Sequence, residues 1–307
     1  MSDGSAIPII LVLGPTASGK SALAARLAQT LPGEVISADA FAVYRGMDVG
    51  TAKPSAEERA VVPHHLIDCF EPEDRCDANR WFALADGLIR DIHARRKTPV
   101  IAGGTPLYTK LLIEGISAGP PRNQLAREIL QNCYEVDPDT MWKHLQELDP
   151  EYAKKLHPND GRRIVRALEV YFTTKRPYSS FHTTDGTRRT DLRPLMIGLE
   201  WDRAILHQRI AERTQTMFAR GLVHEVRKIR PRLSPEAMQA VGYKEVCAYL
   251  DGTISMEQCI ADVTAGTRQL AKHQLTWYRR FPDIRWIPGD APDLAELALK
   301  LCQDWLS

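Results

Sequence analysis

The sequence has little that would tie a chain to a membrane, to disulfides or to a structural metal. No apolar run approaches the ~20 residues needed to cross a bilayer. The start, Met1-Ser2-Asp3-Gly4-Ser5, lacks the basic residues and long apolar core of a secretory leader, so a cytoplasmic location is expected. Six cysteines (Cys69, Cys76, Cys133, Cys247, Cys259 and Cys302) are scattered with no C-x-x-C pair, which argues against disulfides and zinc and predicts buried apolar thiols in a reducing cytosol. The pair His64-His65 has no partners at metal-ligand spacing, so a structural role is expected. There is no internal repeat. Net charge is only +1, which removes the simplest argument for a nucleic-acid partner.

The distribution of that charge restores the argument. Glu34 to Asp91 holds twelve acidic and six basic residues, Glu151 to Arg193 ten basic and five acidic, and Arg203 to Arg232 eight basic and two acidic. A chain neutral in sum can still present a basic face to a polyanion, and local fields are what phosphates feel. At 307 residues, with 44% apolar and 26% charged residues, the chain can bury a large core in one or two domains.

One stretch carries a chemical signature. Ile9 to Leu13 is an apolar run of strand character; Gly14-Pro15-Thr16-Ala17-Ser18-Gly19-Lys20-Ser21 follows; then comes a helix-prone segment from Ala22 to Leu31. G-x-x-x-x-G-K-S between strand and helix is a phosphate-cradling loop. Its glycines let backbone N–H groups face an anion, the helix offers its positive end, Lys20 reaches the outer phosphate, and the Ser21 hydroxyl is placed for Mg²⁺.

The chain continues as strand Glu34–Ala38, a polar loop from Gly46 to Pro63, helix Asn79–Arg95 with Trp81, Leu84, Leu88 and Ile92 recurring, strand Pro99–Ala102, and a helix after Gly103-Gly104-Thr105. Alternating strands and helices predict a parallel sheet, whose ligands bind beyond the carboxyl ends of the strands. Gly14, Asp39 and Thr105 each follow directly on a strand, so they should cluster. Gly115 to Asn123 is Gly/Pro-rich, Gln124 to Tyr171 has only helical patterns, and Pro177 to Arg193 is Ser/Thr/Arg-rich loop. Strand character returns at Leu195–Leu199. The expected organisation is therefore 1–122 as the first part of the core, 123–192 as a helical insertion, and 193–307 as core completion. The last part is read as helices Asp202–Arg220, Leu222–Ile229, Pro235–Leu250 and Met256–Phe281, a short strand Arg285–Ile287 and a closing helix Asp293–Leu306. In Met256–Phe281 the packed face reads as Ile260, Val263, Thr267, Leu270 and Trp277, with Arg268, Lys272 and Arg279 on another.

Three chemistries suit such a loop. An NTP-hydrolysing machine wants a second apolar strand ending in a Mg²⁺-holding Asp, and His65-Leu66-Ile67-Asp68 is a poor match. A small-molecule kinase and a transferase whose donor leaves as pyrophosphate both need clamped phosphates and an acceptor base, a role Asp39 fits. The loop alone does not separate these two.

Longer words do. Asp39-Ala40-Phe41-Ala42-Val43-Tyr44 through Lys53-Pro54, Pro63-His64-His65-Leu66-Ile67-Asp68, Gly103-Gly104-Thr105-Pro106-Leu107-Tyr108, Asn159-Asp160 through Val170, Ala240-Val241-Gly242-Tyr243-Lys244-Glu245 and Thr267 through Trp277 resemble, in order, segments of the tRNA dimethylallyltransferases. The resemblance implies a P-loop NTPase-like α/β fold: a parallel sheet flanked by helices, an inserted all-helical domain contacting the tRNA anticodon stem-loop, and a helical C-terminal part. It implies transfer of a dimethylallyl group from dimethylallyl diphosphate to N6 of the adenosine 3′ of the anticodon, with Mg²⁺, by a monomer. The loop would then hold the departing pyrophosphate, with Arg213. Asp39 would take the proton that frees the amine, or else serve as a Mg²⁺-shell or helix-capping carboxylate, and Thr105 would orient the base or cap its helix. Family RNA-contact positions fall on Asp39, Ala40, Phe41, Ala42, Thr105, Asn123, Arg162, Arg163, Ile164, Val165, Arg166, Gln239, Gly242, Tyr243, Lys244, Lys272, His273 and Arg279, although Tyr243 and Trp277 by size read as core.

The chain departs from the family at two places. The usual D-S-x-Q-V-Y is Asp39-Ala40-Phe41-Ala42-Val43-Tyr44, and a family Gln in the insertion helix is Arg162. Loss of a hydroxyl and an amide, and the exchange of a base-reading group for a phosphate-seeking one, predict retained chemistry with altered or weakened RNA preference. The remaining alternatives are a P-loop kinase and an isopentenyltransferase acting on a free nucleotide.

Overall fold

The computed structural model describes residues 6–115, 120, 122–181 and 188–306. The first five residues, part of the Gly/Pro-rich stretch and the middle of the Ser/Thr/Arg-rich stretch lie outside the described residues. The chain divides into two compact units, Met1–Ile113 with Arg189–Ser307, and Glu114–Arg188.

In the first unit the elements run β1 (Ile7–Leu13), α1 (Lys20–Thr30), β2 (Gly33–Ser37), α2 (Ala56–Val61), β3 (His64–His65), α3 (Ala78–Ala94), β4 (Thr98–Ala102) and α4 (Pro106–Glu114). The second unit holds α5 (Gln124–Val136), α6 (Pro138–Leu148), α7 (Pro150–Ala153) and α8 (Gly161–Thr174). The first unit then resumes with β5 (Leu192–Glu200), α9 (Arg203–Ala219), α10 (Leu222–Ile229), α11 (Tyr243–Leu250), α12 (Met256–Tyr278), β6 (Ile284–Pro288) and α13 (Leu294–Leu306).

The six strands form one parallel sheet in the order β3-β2-β4-β1-β5-β6. Ile9 to Leu13 of β1 are all fully buried, as a central strand covered on both faces requires. Their alternation supplies two cores. Ile9, Leu11 and Leu13 face Trp81, Ile89, Tyr108 and Tyr243, while Ile10 and Val12 face Leu23, Leu27 and Cys302. Each such side chain contributes about 1.5–3 kcal/mol by leaving water. A charge at Leu11 would forfeit that and leave an unpaired ion in the interior. Ala102 lies in register with both Val12 and Ser37, so β1, β2 and β4 end level. Gly14, Asp39 and Thr105 therefore start from one edge.

Several local readings change. The polar loop after Gly46 contains helix α2, capped by Ser55 and Glu58, each side chain bonding the other's backbone N–H. In α3 the buried stripe is Trp81, Ala85, Ile89 and Ile92, and Leu84 is exposed, because the small Ala85 lets the helix approach the sheet. The helix read from Pro235 to Leu250 is broken: a 3₁₀ turn spans Ala237–Gln239, and α11 starts only after Gly242, whose φ of +99° interrupts helical geometry. In α12 the buried residues are Cys259, Val263, Ala271, Gln274 and Tyr278, and Leu270 is exposed. Leu192 begins β5 and is buried, so the insertion stops short of it.

The inserted unit has its own core around Leu130, Met141, Leu145, Ile164 and Leu168. Its helices start on aspartate or asparagine caps at Asn123, Asp137, Asp149 and Asp160, each accepting a backbone N–H of the first turn. Glu169 is fully buried there and accepts from the Asn123 N–H (2.9 Å) and Arg166 Nη1 (2.6 Å).

Candidate active site

The loop after β1 is held from outside through its backbone. Its own conformation needs left-handed residues at Ala17 (φ +64°) and Gly19 (φ +90°). Glycine takes this at no cost, whereas Ala17 stores a little strain. Gln274 Oε1 accepts from the Thr16 N–H (2.7 Å), Arg209 Nε donates to the Ala17 carbonyl (2.9 Å), and Trp201 Nε1 donates to the Ser18 carbonyl (3.1 Å). Gln274 Nε2 also donates to the Gly104 carbonyl (2.6 Å), and the Tyr278 hydroxyl to the Gly103 carbonyl (3.2 Å). Helix α12 thus ties the loop after β1 to the loop after β4.

The electrostatics of the loop ask for an anion. Lys20 opens α1 and turns its ammonium back to the Pro15 carbonyl (3.1 Å). Burial and the adjacent Arg213 cation push Lys20 down to about 8, while Asp39 opposes them. Burial likewise lowers Arg213, again opposed by Asp39, and its buried Nε has no hydrogen-bond partner among the described residues. Two desolvated cations facing one carboxylate are unstable alone, and a di- or polyphosphate would satisfy both. A cavity of about 470 Å³ lies against them, lined among others by Gly19, Ser21, Lys53 and Pro54. Lys53 is not free: its ammonium donates to Asp68 (2.6 Å), Asp48 (2.9 Å) and the Tyr44 carbonyl (2.5 Å). Asp68 also takes Arg59 (2.8 Å), so the carboxylate weighed for NTP hydrolysis is already engaged.

Among the described residues no three His, Cys, Asp or Glu side chains gather as a metal cage. A Mg²⁺ held by one hydroxyl, substrate phosphates and water needs no such cage. Ser21, exposed at the cavity wall, suits that donor set.

Asp39 turns out to be both cap and candidate base. Its Oδ1 accepts the N–H groups of Phe41 (2.8 Å) and Ala42 (3.1 Å), which fixes the carboxylate, while Oδ2 makes no hydrogen bond among the described residues. Thr105 Oγ1 accepts from the Ala40 N–H (3.2 Å), and the Thr105 N–H donates to the Ala38 carbonyl (3.2 Å). These bonds bind the ends of β2 and β4 together beside Lys20. The arrangement can hold phosphates at one end and draw a proton at the other.

A family model described as IPP transferase matches residues 42–281, and one described as Isopentenyl transferase matches residues 7–65. A tRNA dimethylallyltransferase of Geobacter sulfurreducens is 43% identical over 303 residues, 97% of each chain. One from Thermoanaerobacter pseudethanolicus is also 43% identical, covering 92% of this chain and 91% of its own. This chain belongs to the IPP transferase family. Among solved structures, the tRNA isopentenylpyrophosphate transferase of Bacillus halodurans superposes on this IPP transferase with a TM-score of 0.72 at 35% identity, over 98% and 97% of the two chains. A eukaryotic dimethylallyltransferase acting on tRNA reaches 0.83 at 28% identity, over 97% of this chain and 79% of that one.

Other residues read as RNA contacts in this IPP transferase separate by exposure. Arg162 and Arg163 are exposed on α8, the latter 3.4 Å from Asp160. Gln239, Lys244, Lys272, His273 and Arg279 are exposed on the other unit, with Arg279 3.5 Å from Glu200. Ile164 and Val165 are fully buried because they face the core of the inserted unit, so their side chains offer no RNA surface. Arg166 is committed to Glu169 and the Pro120 carbonyl (2.8 Å), and Asn123 to capping α5. Tyr243 is fully buried and gives its hydroxyl to Glu225 (2.6 Å); Gly242 and Ala42 are buried as well. Reading residues singly missed Gln274, Arg209, Trp201 and Tyr278. Gln274 lies in one of the family words, but nothing in hydrophobic periodicity marks a buried amide as structural.

Proposed function

We propose that this enzyme transfers a dimethylallyl group from dimethylallyl diphosphate to N6 of the adenosine 3′ of the anticodon in tRNA. The observation that carries this reading is the meeting of Lys20, Arg213 and Asp39 at the level ends of β1, β2 and β4. The N6 lone pair attacks the allylic carbon, the carbon–oxygen bond breaks, and pyrophosphate departs with that electron pair. Lys20, Arg213 and the loop N–H groups receive its charge. The N6 proton passes to Asp39 Oδ2, the oxygen that capping leaves free. Thr105, anchored on the Ala40 N–H, orients the base. Mg²⁺ bound through Ser21 and the donor's phosphate oxygens would add positive charge at the leaving group.

Reaching the amine requires the base to leave its stack, a cost of a few kcal/mol. Exposed Arg162 and Arg163 on the inserted unit, and Lys244, Lys272, His273 and Arg279 on the α/β unit, hold RNA phosphates. Ala40 and Ala42 contribute no side-chain reading group. The enzyme acts as a cytoplasmic monomer. The test is incubation with dimethylallyl diphosphate and either total tRNA or AMP, read by nucleoside mass. Prenylated adenosine from tRNA alone supports the reading. Prenylation of AMP alone replaces it with a free-nucleotide transferase.

A further inference from the structure

The donor cavity has a wall whose support lies outside the site. Ala52, Lys53 and Pro54 line the cavity and sit on an irregular loop. That loop is anchored by one carboxylate. Glu225 Oε2 accepts the N–H groups of Asp48 (2.9 Å) and Val49 (2.6 Å), and Oε1 accepts the Gly50 N–H (3.0 Å) and the Tyr243 hydroxyl (2.6 Å). Three consecutive backbone N–H groups turned on one anion form a nest, here closed by a phenol. Among the described residues no cation pairs with Glu225, so the loop itself neutralises it.

We propose that Glu225 is a positioning residue for the diphosphate donor, fixing the loop from Asp48 to Gly50 and through it the cavity wall at Ala52, Lys53 and Pro54. Two hydrogen bonds carry the anchor forward: the Ala52 N–H donates to the Val49 carbonyl (3.1 Å) and the Lys53 N–H to the Asp48 carbonyl (3.2 Å). The fit is tight. A Cβ on Gly50 would come within 2.5 Å of the Tyr243 ring, so only glycine lets the loop rest there. Burial, and after it the neighbouring Glu225 carboxylate, raises the Tyr243 phenol, which keeps it a donor. Glu225 lies in the first turn of α10, where the helix N-terminus favours a carboxylate. Helix α10 follows α9 after the single residue pair Arg220-Gly221, and α9 carries Arg213. One helical elbow therefore places a phosphate ligand and secures the loop that shapes the cavity.

This inference rests on the donor reading given above. The measurements are steady-state kinetics with dimethylallyl diphosphate and tRNA varied separately, and calorimetric binding of inorganic pyrophosphate. Glu225→Gln turns an NH₂ toward backbone donors and breaks the nest. It is expected to raise the donor KM and the pyrophosphate Kd roughly tenfold, leaving kcat and the tRNA KM within about twofold. Tyr243→Phe removes one bond of four and should move the same two quantities roughly threefold. If Glu225→Gln does not fold, Tyr243→Phe decides. Folded variants with wild-type pyrophosphate affinity and donor KM overturn the proposal, as does a fall in kcat alone. A wild-type enzyme that binds pyrophosphate but prenylates nothing defeats the donor reading instead, and the pyrophosphate comparison then still tests the tether.

Discussion

Lys20 ties donor binding to pH in a calculable way. In the free site its ammonium sits at about 8 because burial and Arg213 disfavour its charge. A bound diphosphate supplies the missing counter-charge and moves it back toward or above its ordinary 10.5. Below pH 8 Lys20 is charged in both states and affinity is flat. Above it, binding must take up a proton, so Kd rises toward about tenfold per pH unit until the bound-state value is reached. Between pH 7 and pH 9 the expected loss is roughly tenfold. The assay is pyrophosphate calorimetry at constant ionic strength, with Lys20→Met as the control that lacks the slope. The stability of the ligand-free protein moves in a linked direction. Lys20 is lowered on folding, so the unfolded chain holds more protons between pH 8 and 10.5, and unfolding free energy rises with pH across that window. Removing the charge at pH 7 should stabilise the free protein by about 1–3 kcal/mol, the lower figures allowing for the part of the side chain that still meets water. A flat affinity profile from pH 7 to 9.5, or the same slope in Lys20→Met, refutes the reasoning.

Three further outcomes are expected. Asp39→Asn keeps an oxygen for the Phe41 and Ala42 N–H groups but cannot accept the N6 proton, so single-turnover transfer should fall by roughly 10²–10⁴ while pyrophosphate binding is little changed or tightened by the loss of a negative charge beside Lys20 and Arg213; a full rate removes Asp39 from the chemistry. Gln274→Leu strips partners from the Thr16 N–H and the Gly104 carbonyl, both in a closed part of the site, and should cost about 2–4 kcal/mol in denaturant unfolding while raising the donor KM; an unchanged midpoint denies it that role. Arg162→Gln should lower the salt-dependence slope of tRNA binding by about 0.7–0.9, as loss of one phosphate contact does; an unchanged slope means that Arg162 touches no phosphate.

The parts of the site that rest on chain order were legible in the sequence. The loop from Gly14 to Ser21, and the positions of Asp39 two residues past β2 and Thr105 three past β4, follow from the order of strands in a parallel sheet. Ala102, Val12 and Ser37 lie in register, so the three strands end level. Long apolar strands were equally clear, because Ile9 to Leu13 is buried on both faces. What failed was the choice of face on helices. Leu84 and Leu270 are apolar and exposed, whereas Ala85 and Gln274 are buried. Hydrophobicity does not reveal where a small residue permits close approach or where an amide is needed for two backbone partners. Arg166 shows the same limit for charge: a basic residue beside Arg162 and Arg163 is consumed by buried Glu169, and only the fold brings that carboxylate to it.

The central claim is that the loop holds a leaving group and does not pass on a phosphoryl group. It is tested most directly with dimethylallyl diphosphate labelled in the allylic carbon and, separately, in the phosphates, each incubated with tRNA. The account predicts that carbon label appears on N6 of adenosine in the tRNA while all phosphate label is released as pyrophosphate. Phosphate label on the RNA, or carbon label left wholly in the donor at full enzyme occupancy, would contradict it.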